Sequence, residues 1–184
     1  MNIIETKLED CYIIEPDVHG DNRGYFMETH NVNKLKELGI NVTFVQANES
    51  FTAKKWTLRG LHFQTNPYNQ AKLVRCINGA IYDVAVDLRK DSKTYKDWIK
   101  VELSGENHRQ LYLPRGFAHG FLTLTDNVTF CYEVDNDYNF ASDAGIRYND
   151  PDINVDWGLP SGVEPLLSEK DTKAPVLIKS RADF

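Results

Sequence analysis

Residues 59–63, Arg-Gly-Leu-His-Phe, followed by Gln70-Ala-Lys72, set a histidine and a lysine at positions 62 and 72 of one strand-rich stretch. An imidazole takes up a proton near neutral pH, and a nearby ammonium stabilises the oxyanion that proton removal leaves behind. That pair suits carbon-acid chemistry beside a carbonyl. Of the other histidines, His19, His30 and His108 lie in turn-like, helix-flanking or polar sequence and are expected to be solvated. His62 and His119 are flanked by apolar residues and glycine, as pocket histidines are. Tyr132 and Tyr138 fall on or just after a late strand, and Asp171 follows Ser168-Glu-Lys170. By residue type alone, such a tyrosine is a core residue with a tethered hydroxyl, and such an aspartate is a turn or cap. Spacing lifts neither above that.

Other chemistries are poorly served. A metal-binding jelly roll supplies H-x-H, a glutamate a few residues on and a later histidine. Here the segment is His62-Phe-Gln64, with no glutamate before Lys72, which argues against a metal. There is no G-x-S-x-G elbow, no glycine-rich phosphate loop and no cysteine in an activating setting. What remains is acid–base chemistry by protein groups, without a cofactor. A net charge of −6 argues against nucleic acid as a partner, although local basic residues can still hold an anionic small substrate. The charged N-terminus is no signal peptide, and no apolar run reaches membrane-spanning length. Cys11, Cys76 and Cys131, odd in number and widely spaced, are expected to be idle thiols in a reducing cytoplasm.

The elements that must position these groups are mostly short strands, in a chain long enough to bury a core as one domain, residues 1–184. Apolar segments at 11–14 and 24–28 flank a turn-rich stretch, 17–23. A helix is predicted after Asn31 as cap, with Val32, Leu35 and Leu38 at helical spacing and Gly39 as terminator. Strands follow at 43–51, 57–64, 72–77, 80–88, 98–104, 110–113, 120–125 and 128–134. This spacing predicts a mainly β, jelly-roll sandwich or barrel with a few short helices. Asn78-Gly79 predicts a type I′ hairpin, and residues 125–128 a second one. Pairing Ile77 with Ala80 puts Lys72, Val74, Ile81 and Asp83 on one face, with Lys72 and Asp83 as diagonal neighbours. Leu73, Ile77, Tyr82, Val84 and Val86 then form the other, core face. The tail from Pro151 is expected to wrap the barrel as coil or short helix.

Several blocks in order carry a specific likeness: Arg23-Gly-Tyr-Phe-Met-Glu28, Gln46-Ala-Asn48, Arg59-Gly-Leu-His-Phe-Gln64, Gln70-Ala-Lys72, Asp83-Val-Ala-Val-Asp87, Pro114-Arg-Gly-Phe-Ala-His-Gly-Phe121, the Tyr132/Tyr138 pair and Leu167-Ser-Glu-Lys-Asp171. Over residues 10 to 178 the chain resembles the dTDP-4-dehydrorhamnose 3,5-epimerase family, the RmlC-like branch of the cupins. The resemblance implies a cytoplasmic homodimer without metal or cofactor. Its substrate would be a nucleotide-linked 4-keto-6-deoxyhexose, in deoxysugar biosynthesis for cell-surface polysaccharide. His62 would match the base, Asp171 its orienting carboxylate, Lys72 the enolate stabiliser and Tyr132 the acid on the opposite face. Arg59, His119, Tyr138 and Lys170 match substrate contacts, with Asp83 supporting from behind. Arg23, Phe26, Glu28, Gln46 and Asn48 match nucleotide-side contacts, some reaching into the neighbouring subunit.

The chemistry agrees with those roles. C3 and C5 both flank the C4 ketone, so one carbonyl acidifies both protons. A base and an acid on opposite faces then invert each centre through an enolate. The chain departs from the family pattern at Asn66-Pro67-Tyr68, Tyr148 and Tyr112, all outside the catalytic set; dTDP is the favoured nucleotide. A C3-only or C5-only epimerase is the nearest alternative. A ketoisomerase would leave Tyr132 superfluous, and a non-catalytic sugar-nucleotide binder would need neither base pair nor acid.

Overall fold

Side chains that alternate between two faces, with apolar residues on both, require a cover on each side of a sheet, and the computed structural model, which describes residues 1–184, supplies both covers. One antiparallel sheet runs in the order β1 (Asn2–Glu5), β2 (Tyr12–Glu15), β10 (Gln110–Leu113), β7 (Lys72–Asn78), β12 (Val128–Val134) and β5 (Gln46–Thr52). The second runs β13 (Asp143–Gly145), β6 (Leu58–Gln64), β11 (Phe117–Thr123), β8 (Ala80–Asp87) and β9 (Trp98–Ser104). The hairpin of β3 (Val18–Asp21) and β4 (Gly24–Met27) stands apart from both. This is a cupin-type jelly roll, as expected, and no helix in it is long and apolar enough to cross a membrane.

Val74, Cys76, Leu111 and Phe130 from one sheet pack against Ile81, Val101, Phe117 and Phe121 from the other to fill the interior. The outer face of the six-stranded sheet is covered by helix α1 (Val32–Glu37), where Leu35 joins Ile14, Ile40, Leu73 and Tyr112. Asn31 caps that helix by accepting from the amides of Asn33 and Lys34, and Gly39 leaves it at φ +90°. The tail covers the other outer face, with Ile153, Trp157 and Leu177 on Leu58, Val84 and Leu122. It ends in the short helix α2 (Glu169–Thr172) and a 3-10 turn at Leu177–Lys179.

Both predicted hairpins are instead corners between the sheets. β7 pairs with β10 and β12, whereas β8 pairs with β11 and β9, so the chain changes sheet at Asn78-Gly79. Gly79 has φ +80° but Asn78 has no positive φ, which rules out a type I′ turn. The corner is held by Gly105 N–H donating to the Gly79 carbonyl and by Ala80 N–H donating to Thr125 Oγ1. Residues 125–128 likewise carry the chain from β11 to β12. A turn dipeptide dictates reversal only; the strands that already fill both edges of β7 decide with what it pairs. Val74 and Ile81 do share one face, which lines the interior. The face predicted as core is not a common one: Leu73 packs under α1, Val84 and Val86 pack under the tail, and Ile77 is exposed. Lys72 and Asp83, however, lie on different sheets and are not hairpin neighbours.

Strand ends moved by a few residues, most at β11, which begins at Phe117 just past Gly116 (φ +87°) and so includes His119. β5 begins at Gln46 and not at 43. Three strands were not foreseen. β3 occupies part of the stretch taken as turn, and β1 and β13 are edge strands too short or too polar to show a pattern.

Candidate active site

A cavity of about 660 Å³ opens between the two sheets. On the five-stranded wall, β6 and β11 put His62 directly opposite His119. Arg59 and His62 are three residues apart, so on a regular strand they would face opposite ways. Their partners on β11 are Phe121 and His119, only two apart, so β6 carries one extra residue there, a bulge. The bulge resets the alternation, and both side chains enter the cavity. Gly60 and Gly120 permit it: a Cβ at Gly60 would lie 2.6 Å from the Gly120 Cα. Arg59 is anchored to β5 by Nε donating to Thr52 Oγ1 (3.1 Å) and by Nη2 donating to the Phe51 carbonyl (3.1 Å).

His62 Nε2 meets Asp171 Oδ1 at 2.5 Å, joining residues 109 positions apart. Asp171 sits in α2, 3 % exposed, where the capping Ser168 hydroxyl donates to its Oδ2 and accepts from its amide. Burial alone would raise the Asp171 pKa, but the hydrogen bond and charge of His62 outweigh it and hold the carboxyl below its usual range. An ionised Asp171 accepts from Nε2 and so fixes the orientation and tautomer of the ring. With Nε2 committed, Nδ1 is the free ring nitrogen.

Next to it, His119 Nε2 meets Asp83 Oδ1 at 2.9 Å, both buried, and the ring stacks on Phe130. The other Asp83 oxygen has no partner.

The six-stranded wall supplies Lys72 and Tyr132. The Lys72 ammonium makes no hydrogen bond or ion pair and lies 5.9 Å from the centroid of the Tyr132 ring. Burial pushes its pKa down to about 8, against the opposing pull of Asp83 and Asp143. Burial also raises the Tyr132 pKa, assisted by Asp143, so its hydroxyl stays protonated at neutral pH. Tyr138 is 55 % exposed at the cavity edge, where its hydroxyl lies 3.4 Å from Asp143 Oδ2. Lys170 Nζ pairs with that same oxygen at 2.5 Å. Asp143 thus belongs to the cavity and was missed, since nothing in Ala141-Ser-Asp-Ala-Gly145 marks it.

The structure thus gathers His62, Asp171, Lys72, Tyr132, Arg59, His119, Tyr138 and Lys170 around one cavity. It does not bring Arg23, Phe26 and Glu28 there within a single chain. Arg23 pairs with Asp21 of its own hairpin, Phe26 is 72 % exposed, and Glu28 is held by Lys34 and Asn31. Gln46 and Asn48 lie on β5 beyond the cavity wall, bonded to each other at 2.8 Å. His30, expected to be solvated, is half-buried and meets Glu133 at 2.8 Å, because β12 runs beneath the segment leading into α1.

A jelly roll with an imidazole–carboxylate pair on one wall and a phenol and a half-buried ammonium on the other fits an isomerase of the cupin type, suited to proton transfer next to a carbonyl. Comparison with known proteins gives the same class. The family model described as dTDP-4-dehydrorhamnose 3,5-epimerase matches residues 5–179. The dTDP-4-dehydrorhamnose 3,5-epimerase of Shigella flexneri is 49% identical over 172 residues, 93% of each chain. The crystal structure of the Bacillus anthracis enzyme, with TDP and pyrophosphate bound, superimposes with a TM-score of 0.92 at 46% identity, covering 96% of this chain and 99% of that one. The Legionella pneumophila enzyme, in complex with dTDP-4-keto-L-rhamnose, gives 0.90 at 44% identity over 97% and 93%. The chain belongs to the dTDP-4-dehydrorhamnose 3,5-epimerase family.

Proposed function

We propose that this chain inverts C3 and C5 of a dTDP-linked 4-keto-6-deoxyhexose. His62 removes the proton beside the C4 ketone, and the electron pair moves onto the carbonyl oxygen as an enolate. The Lys72 ammonium stabilises that oxygen, and Tyr132 returns a proton to the carbon from the opposite face. Each inversion leaves His62 protonated and Tyr132 ionised, so a proton must pass between them through solvent before the next. Asp171 holds the imidazole throughout. Arg59, His119, Tyr138 and Lys170 bind the sugar and diphosphate. Arg23, Phe26, Glu28, Gln46 and Asn48 serve the nucleotide, with the exposed hairpin reaching a neighbouring site in a cytoplasmic homodimer of one-domain subunits. The observation that carries the reading is the His62–Asp171 hydrogen bond on one wall facing Tyr132 on the other.

Proton magnetic resonance of the sugar in D₂O tests it. Two exchanged and inverted positions are expected, and one alone would make the enzyme a single epimerase. His62→Ala should lose at least the ~10²–10⁴-fold that general base catalysis supplies. Near-normal rates in a folded His62→Ala protein would remove His62 from the base role.

A further inference from the structure

Gln64 stands where a metal-binding jelly roll would carry its second ligand, and its amide is fully committed elsewhere. Nε2 donates to the Tyr68 carbonyl at 2.7 Å and to the Asp137 carbonyl at 3.1 Å, while Oε1 accepts from the Asn139 amide at 2.7 Å. Both donors are spent, the side chain is 5 % exposed, and swapping nitrogen and oxygen would set like against like at all three contacts. The two atoms it grips on the far loop, Asp137 O and Asn139 N, flank Tyr138. The Tyr138 amide itself donates to Gln46 Oε1 at 3.3 Å.

The rest of that loop is tied down by similar contacts. Asp135 accepts from the Ala71 amide, and the Asn136 carbonyl accepts from Gln70. The Tyr138 ring has no such support, being more than half exposed, with one long contact to Asp143. Its position over the cavity therefore depends on its backbone.

We propose that Gln64 is a positioning residue: through its buried amide it fixes the backbone on both sides of Tyr138 and so holds that ring at the mouth of the substrate cavity. The proposal rests on the epimerase reading for its kinetic consequence, although not for the clamp itself. A rigid aromatic that meets the bound substrate contributes chiefly to affinity, so loosening it raises KM more than it lowers kcat.

The experiment is a double-mutant cycle on the purified full chain with the dTDP-linked 4-keto-6-deoxyhexose. Gln64→Met keeps the length of the side chain and removes every hydrogen bond. It should raise KM ~10-fold with kcat within ~3-fold, and add less than ~2-fold once Tyr138→Ala is present, because residues coupled through one backbone segment are non-additive. Gln64→Asn, which retains an amide too short to span both loops, should fall between wild type and Gln64→Met; it replaces Gln64→Met in the cycle if that variant does not fold. Amide hydrogen exchange supplies a readout independent of activity: Asn139 should lose protection while β6 keeps its own. An unchanged KM, a loss confined to kcat, an equal rise in both backgrounds or an Asn139 amide as protected as in wild type would overturn the proposal. If wild type fails to turn over the sugar, the epimerase reading fails by itself, and the exchange measurement still decides the clamp.

Discussion

Partial burial of the Lys72 ammonium at the cavity, without an ion pair, works against folding. Its pKa of about 8, set mainly by burial, corresponds to a cost on the order of 3 kcal/mol while the group stays charged. Between about pH 8 and the ordinary lysine range the unfolded chain binds more protons than the folded one, so this cost is relieved as pH rises through that window. Lys72→Met should therefore melt a few degrees higher than wild type at pH 7 while losing ~10²–10³ in turnover. A variant that melts lower would show that the ammonium is better compensated than its lack of partners indicates. Loss of the Lys72 charge should also lower kcat/KM above about pH 8, a limb that Lys72→Arg should abolish. Tyr132 is tested by stereochemistry: Tyr132→Phe deletes the proposed donor and leaves in place His62, Asp171 and Lys72, the groups proposed to form the enolate. Substrate hydrogen should still exchange for deuterium, with His62 returning it to the original face, while inversion falls much further. Parallel losses of exchange and inversion would assign Tyr132 to enolate formation or binding.

Among the elements, β6 does the most for the site, because its bulge turns a three-residue spacing into a shared direction. Gly60 (φ +130°) has the Gly120 Cα where a Cβ would go, while Gly79 (φ +80°) has Thr125 Oγ1 at 2.5 Å and Val128 Cγ2 at 2.9 Å. Both substitutions to alanine should destabilise by ~1–3 kcal/mol in urea melts. Their kinetics should differ. Folded Gly79→Ala should keep its kcat, since that corner lies away from the cavity, whereas Gly60→Ala should lose activity beyond any unfolded fraction by pushing β6 off β11 between Arg59 and His62. Equal specific activities of the folded variants would show that the bulge tolerates displacement.

At the scale of the whole molecule, the β3–β4 hairpin projects Val18, Tyr25 and Phe26 into solvent, and Arg23 finds only its own Asp21. Such an apolar, arginine-bearing hairpin fits a role in a neighbouring subunit's site. If the chain forms the proposed dimer with shared sites, Arg23→Ala should weaken nucleotide binding, and mixing Arg23→Ala with inactive His62→Ala subunits should restore activity, because each hybrid rebuilds one intact site of two. No recovery on mixing, or a fully active monomer, would contradict a shared site.

The sequence by itself determined the alternation that makes strands, the Asn31 cap of α1, the common face of Val74 and Ile81, and the residue types at the candidate site. These are local matters: period, cap chemistry and the proton affinity of imidazole and phenol do not depend on distant residues. His62 and Asp171 could be tied together only by resemblance, since 109 residues separate them. The tertiary structure alone decided that Asn78-Gly79 is a corner between sheets, that Lys72 and Asp83 lie on different sheets, and that Asp143 links Lys170 to Tyr138. Those outcomes follow from which strands fill which edges. That competition among all strands for partners sends the same turn and the same alternation into a hairpin in one fold and across a barrel in another.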